Sequence, residues 1–395
     1  MRRLRTSACA LLMLGLGACG GAGPLPQGPV ADSGDPGAQI HFVTDRAVEI
    51  TDGGAVLLTA RRDAAMRFGT AQLGAGDAGL KIDRVAQRLT FPATPLALSQ
   101  SGGVIGPDPS SAARYAETGR ALQDALAQDL RKRDQRDILL YIHGYNSHFN
   151  DALETTARLW QATGQGALPL AYSWPSGNPG AFGYFKDRES GEFTIFHLKE
   201  TLRLLSTVPG LNRIHIVAHS RGSDVVTTAL RELVIEARAA GRDPRQSLKI
   251  ENLILAAPDL DFSVVRQRLI AERFGLAFGR ITVYMNPEDG ALGLAQFLMA
   301  GTRFGRLSYD QLGLSEREIF AHIRNVHFIN VSAVTGGSSH NYFRSNPAVL
   351  ADIARVIATN AAPDDPRRDL IHAEANFWRL VPPRDTAIDA VRAER

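Results

Sequence analysis

The chain has 395 residues, enough for one large domain or two smaller ones, and its 44% hydrophobic and 22% charged residues are those of an ordinary globular protein. Its formal charge of +3 is accounted for by Arg2, Arg3 and Arg5; setting these three aside leaves 41 basic against 41 acidic side chains. A formally neutral body offers no electrostatic footprint for nucleic acid, and that class of partner is excluded.

Taken in chain order, residues 1–18 predict a targeting signal. MRRLR is a charged start, and Ala8 to Ala18 is an apolar run that ends in small residues and is too short for a permanent membrane helix. Leu16-Gly17-Ala18-Cys19 resembles the lipobox of bacterial lipoproteins, which implies Cys19 as a lipidated N-terminus; an ordinary secretory signal is the alternative. Gly20 after the cysteine resembles lipoproteins sorted to the outer membrane, so the expected location is the bacterial cell envelope. The only cysteines are Cys9 and Cys19, which leaves the body without a disulfide or a thiol nucleophile. Residues 19–38, rich in Gly and Pro, read as a flexible tether.

The body, residues 39–360, opens with strand signals at Ile40 to Asp45, near Met66 and at Gly79 to Val85, expected to add antiparallel strands to one sheet edge. A Ser/Gly/Pro-rich loop is expected from Ser99, and Ala112 to Lys132 has helical spacing, with Tyr115, Leu122, Ala125, Leu126 and Leu130 on one face. Strands then alternate with helices. Strands are expected at Asp137 to Ile142, Leu168 to Trp174, Ile214 to Val217, Leu248 to Ala256, Ile281 to Met285 and, last, Val326 to Val331. Helices are expected at Leu153 to Gln161, Glu192 to Ser206, Ser223 to Arg238, Val264 to Ala271, Leu292 to Ala300 and Pro347 to Thr359. This alternation predicts an α/β fold with a mostly parallel sheet covered on both faces. Residues 361–395 form a C-terminal extension, and residues 185–190 and 300–325 are candidate lids or solvated segments.

The chemistry centres on IHIVAHSRGSDVVTTAL, Ile214 to Leu230, where an alternating strand runs through Ala218-His219-Ser220-Arg221-Gly222 into an amphipathic helix. Strand, small-x-Ser-x-Gly and helix in that order make a nucleophile elbow, whose turn admits only small residues two before and two after the serine. A serine needs a histidine base, and the base needs an orienting carboxylate. Of the downstream histidines, His327 lies within the last strand, His322 before it and His372 in the charged extension, whereas His340 falls in the loop just beyond that strand. Asp289, after the strand ITVYM, is favoured as the acid, with Asp259 and Glu288 open as alternatives; Asp261 reads as a helix cap. The oxyanion donors are assigned to the N–H groups of Arg221 and of Tyr145, the latter in the His143-Gly144-Tyr145-Asn146 loop with Asn146 assisting, and His143 is expected to fix that loop. Trp174 either lines the substrate pocket or packs the end of its strand.

FVTDR at 42–46, FG at 68–69, YIHGYN at 141–146, YSWPSG at 172–177, Tyr184 with Asp187, AHSRG at 218–222, APDLD at 257–261 and the Asp-Gly-Ala-Leu run at 289–292 occur in order. Together they resemble a bacterial alpha/beta-hydrolase family catalogued as a domain of unknown function and described as esterase- or lipase-like, over roughly residues 40–345. The resemblance implies an alpha/beta-hydrolase fold and a triad of Ser220, Asp289 and His340. One departure is Arg221, where relatives carry Met; a guanidinium at the site mouth would favour anionic substrates. The expected function is a lipid-anchored serine hydrolase that cleaves a small-molecule ester or lipid without a metal or organic cofactor. An amidase, peptidase or acyltransferase with the same triad, or a non-catalytic envelope binding protein on this scaffold, are the alternatives.

Overall fold

A computed structural model describes residues 38–52, 56–76, 79–101, 103–299, 301–335 and 339–382. The signal segment, Cys19 and all of the tether except Ala38 lie outside the described residues, as does the extension beyond 382.

Strands β1 (Gln39–Ile50), β2 (Val56–Gly76) and β3 (Gly79–Thr90) precede a small hairpin of β4 (Leu98–Ser101) and β5 (Val104–Pro107), which stands where a loop was expected. Helix α1 (Pro109–Leu130) begins one turn earlier than its apolar spacing suggests, because Pro109 occupies its first turn and Asp108 caps it by accepting the Ser111 N–H at 2.9 Å. Then come β6 (Asp137–Ile142), α2 (Phe149–Ala162), β7 (Leu168–Ser173), α3 (Gly180–Ser206), β8 (Arg213–His219) and α4 (Gly222–Ala239). The short α5 (Pro244–Leu248) leads to β9 (Ile250–Ala256), and α6 (Phe262–Val264) continues into a π-helical turn over Val265–Ile270. β10 (Arg280–Met285), α7 (Gly290–Met299), α8 (Leu314–His322), β11 (Val326–Asn330), α9 (Ser332–Thr335), α10 (Tyr342–Ser345) and α11 (Pro347–Thr359) follow. Two further strands, β12 (Leu370–Glu374) and β13 (Phe377–Leu380), close the described chain.

The main sheet has eleven strands in the order β12-β13-β11-β10-β9-β8-β6-β7-β1-β2-β3. From β13 to β1 every neighbouring pair is parallel. Two expectations are corrected here. β1 is not an antiparallel addition but runs parallel to β7, with Thr44 opposite Ser173, and only its pairing with β2 is antiparallel. β11 is not the last strand either, since β13 pairs with it and brings β12 along, so residues 370–380 of the supposed extension belong to the sheet.

β6 shows why the sheet is two-sided. Its six residues are all buried, and alternate side chains enter different cores. Ile138, Leu140 and Ile142 pack with Leu122 and Leu126 of α1, Leu198 of α3 and Val226 of α4. Leu139 and Tyr141 pack with Leu153 and Trp160 of α2 and Ile353 and Val356 of α11. Strands buried on both faces read as continuous apolar runs, and each fully buried leucine contributes about 1.5–3 kcal/mol. All loops that follow parallel strands leave one edge of such a sheet, and that edge carries the site. No helix among the described residues is long and apolar enough to cross a membrane.

Candidate active site

Ser220 lies between the last residue of β8 and the first turn of α4, with φ +51, in the left-handed region. A non-glycine residue held there costs about 1–3 kcal/mol and persists only where its surroundings fix it. Here the Ser220 N–H donates to Ala256 O at 2.9 Å and its carbonyl accepts the N–H of Ser223 at 3.0 Å and of Asp259 at 3.2 Å. Gly222 is required by packing: a Cβ there would lie 2.2 Å from His143 O. Gly144 is equally constrained, because its Cβ would meet Ser220 Cβ at 2.8 Å. The loop after β6 therefore lies directly against the serine.

His340 bridges the serine and a carboxylate. Its Nε2 is 2.9 Å from Ser220 Oγ and its Nδ1 is 2.7 Å from Asp289 Oδ2. Asp289 is fully buried, and its other oxygen accepts the Leu292 N–H at 3.0 Å, which fixes the carboxylate at the start of α7. Two residues beyond His340, Tyr342 is tied to the strand that leads to Asp289, since it donates its hydroxyl proton to Tyr284 O of β10 at 2.8 Å. Ser220 itself is 6% exposed.

The other carboxylates go elsewhere. Asp259 accepts the Tyr184 hydroxyl at 2.6 Å and lies 3.6 Å from Arg303 Nε. Asp261 caps α6 through the N–H groups of Ser263 and Val264. Glu288 is exposed. Among the histidines, His322 and His372 are exposed on α8 and β12, and His327 sits within β11.

Three sequence expectations are corrected. Trp174 does not line a pocket: it is completely buried, stacks on His143 with ring centroids 5.1 Å apart, and donates Nε1–H to His143 O at 2.8 Å. Arg221 does not present its guanidinium at an open mouth. The side chain is buried, and its NH2 pairs with Asp224 at 2.7 Å. Burial alone would lower its pKa; Asp224 and Asp259 more than offset that and raise it. The two candidate lids are part of the body, for residues 185–190 are inside α3 and Phe304, Leu307, Leu312 and Phe320 are core residues.

Tyr145 and Asn146 stand in the loop after β6, beside Gly144. The Tyr145 hydroxyl donates to Gly180 O at 2.8 Å and its ring meets Tyr184 edge-on at 5.4 Å. Asn146 has φ +49, and its N–H is engaged by Asp187 Oδ2 at 2.9 Å. Arg221 is the N-cap residue of α4, so its N–H precedes the first intrahelical acceptor. His143 is buried with Nδ1 2.9 Å from Gly144 O, and burial together with Arg46 pushes its pKa well below 6.5. It is a neutral ring that fixes the loop.

Sequence reasoning gave no role to His219. This ring stacks on Phe343 at 4.4 Å and lies 4.8 Å from the His340 ring, and its Nε2 is 3.3 Å from His340 O. Burial first, and then His340, push its pKa well below 6.5, so it braces the His340 loop as a neutral residue. Its place next to the serine was the available signal. Phe182 on α3 and Phe297 on α7 are 86% and 84% exposed, and α7 contains no charged side chain. Among the described residues no group of three metal-ligating side chains occurs.

The family model described as alpha/beta hydrolase of unknown function (DUF900) matches residues 118–359. No curated protein matches the chain. Solved structures similar to it include a protein from Thermoplasma acidophilum described as a predicted CIB-like hydrolase, with 13% identity over 57% of this chain and 86% of that one and a TM-score of 0.28. An esterase from Pyrobaculum calidifontis shares 11% identity over 61% of this chain and 93% of that one, with a TM-score of 0.29. Est1E from Butyrivibrio proteoclasticus shares 11% identity over 57% and 88%, with a TM-score of 0.31. The matched span covers more than half of the chain and contains the elbow, Asp289 and His340; the protein is a hydrolase that belongs to the alpha/beta-hydrolase family of unknown function.

Proposed function

We propose that the protein is a serine hydrolase that cleaves carboxylic esters through an acyl-enzyme intermediate. The observation that carries this reading is the unbroken relay from Ser220 Oγ to His340 Nε2 at 2.9 Å and from His340 Nδ1 to Asp289 Oδ2 at 2.7 Å. A carboxylate at Nδ1 keeps the proton on that nitrogen, which leaves the Nε2 lone pair facing the serine. As Ser220 Oγ attacks the ester carbonyl, His340 takes its proton, and the Asp289 carboxylate stabilises the imidazolium. The N–H groups of Tyr145 and Arg221 hold the tetrahedral oxyanion. The intermediate collapses with cleavage of the carbon–oxygen bond to the alcohol, which takes the proton from His340. Water then attacks the acyl-enzyme by the same steps and releases the acid and free Ser220.

The resemblance of the ordered motifs to an esterase- or lipase-like family supports an ester or a lipid as the substrate. The Leu16–Cys19 motif supports an anchor at Cys19, which would hold the enzyme at a membrane of the cell envelope. The test is turnover of p-nitrophenyl esters of increasing chain length. Wild type is expected to turn over with a preference among chain lengths, and Ser220→Ala and His340→Ala to be inactive; retained turnover in either variant refutes the mechanism.

A further inference from the structure

Two charged side chains that the relay does not use converge on the loops around it. Arg46, from the FVTDR motif within β1, is fully buried. Its Nε donates to Ser173 Oγ at 2.9 Å, NH1 to Ser176 O at 2.7 Å and Thr59 O at 3.2 Å, and NH2 to Ser147 O at 2.7 Å, with His143 Nε2 at 3.3 Å. Asp187, on α3, is also fully buried. Its Oδ2 accepts the Asn146 N–H at 2.9 Å, the Gly177 N–H at 3.1 Å and the Ser176 hydroxyl at 2.8 Å, while Oδ1 accepts Asn178 Nδ2 at 2.7 Å.

The pattern is specific. One oxygen of Asp187 holds the N–H groups of two residues with positive φ, Asn146 at +49 and Gly177 at +123, one in the loop after β6 and the other in the loop after β7. Arg46 holds carbonyls of the same two loops at Ser147 and Ser176. Buried charges are costly unless they are fully hydrogen-bonded, and here those bonds are spent on the loop that touches Ser220. Burial pushes the Arg46 pKa down to about 10, which leaves it a cation at neutral pH.

We infer that Arg46 and Asp187 form a clamp that positions the Gly144–Asn146 loop, and with it the Tyr145 N–H, for the oxyanion of the transition state. This rests on the serine-hydrolase reading above and assigns both as positioning residues. A loop misplaced by about 1 Å costs up to about 100-fold in rate, and loss of one oxyanion donor costs about 10²–10³-fold.

The test uses Asp187→Asn, which keeps the shape and removes the charge, and the milder Ser176→Ala, for p-nitrophenyl ester turnover in the full chain. The clamp predicts that Asp187→Asn lowers kcat about 10- to 100-fold and Ser176→Ala about 3- to 10-fold, with KM within about twofold. Affinity for an alkylboronic acid, which forms a tetrahedral adduct on serine, falls in parallel, while affinity for a ketone-free ether analogue of the substrate is unchanged. An active wild type whose two variants keep kcat within twofold, or lose affinity for both inhibitors equally, overturns the clamp alone. A wild type that neither turns over ester nor reacts at Ser220 overturns the serine-hydrolase reading and the clamp's catalytic role with it.

Discussion

Replacing Asp289 by asparagine separates the acid of the relay from its nearest rival. The side chain is fully buried, with Oδ2 2.7 Å from His340 Nδ1 and Oδ1 accepting the Leu292 N–H. Asparagine preserves the shape. With its carbonyl on the Leu292 N–H, its NH2 faces His340 Nδ1 and selects the tautomer protonated at Nε2. That tautomer points a proton at Ser220 Oγ and cannot accept one. The imidazolium formed during attack also loses its counter-charge. The equivalent change in a serine protease costs about 10⁴-fold in kcat, which is about 5.4 kcal/mol of transition-state stabilisation. Asp259→Asn disturbs the Tyr184 hydroxyl and the Arg303 side chain instead, and is expected to cost less than about tenfold in kcat, the range of a polar group outside the relay. Both variants are assayed for kcat on the best p-nitrophenyl ester, with melting temperatures as controls. A folded Asp289→Asn enzyme with more than a tenth of wild-type kcat, or a greater loss in Asp259→Asn, refutes the assignment.

Acid should destabilise the fold well before its carboxylates are protonated. His143 and His219 are held neutral by burial, with folded pKa values well below the unfolded 6.5, so below pH 6.5 the unfolded chain binds protons that the folded one does not. Stability then falls as pH falls below 6.5. His197 is shifted the other way, since Asp45 outweighs burial; its contribution is fully present below 6.5 and is lost as pH rises through its folded value. Urea midpoints measured across this range check the sign: a midpoint that rises on acidification contradicts it, and His219→Phe should shrink the slope. Gly144→Ala, with its Cβ 2.8 Å from Ser220 Cβ, is expected to lower kcat by more than about tenfold, whereas Gly106→Ala, with open space around it, should match wild type in turnover and melting temperature. Cys19→Ser is expected to move the protein from the membrane to the soluble fraction of cells; unchanged sedimentation with membranes would count against the lipid anchor.

The elements that sequence reading located best are those whose local and tertiary signals agree. β6 is DILLYI, apolar throughout because both faces are covered, and its bounds match the reading from Asp137 to Ile142. α11 also runs from Pro347 to Thr359 as read, with Pro347 in its first turn, the Asn346 side chain capping it and Asn360 ending it at φ +51. The convergence of Ser220, Asp289 and His340 was legible because each follows a recognisable strand. What was not legible depends on partners distant in sequence. The first turns of α3 contain a Lys-Asp-Arg-Glu run that reads as solvated, and only the folded chain reveals the loop N–H groups that draw Asp187 inward. Arg221 reads as a surface charge until Asp224, one helical turn on, neutralises it in a buried position. Trp174 satisfies both of its sequence readings until its indole N–H is found on His143 O. β12 and β13 are short, with one charged residue in each, and β12 forms the sheet edge, so the long apolar runs that mark the inner strands are absent.

The central claim is that Ser220 is a nucleophile activated by His340. It is tested most directly by treating the purified protein with a fluorophosphonate and locating the adduct by peptide mass. One adduct is expected, on Ser220, formed rapidly in wild type, slowed by at least about 10³-fold in His340→Ala, and absent in Ser220→Ala. An unlabelled wild type under conditions that label an active serine hydrolase, or an adduct on another residue, would contradict it.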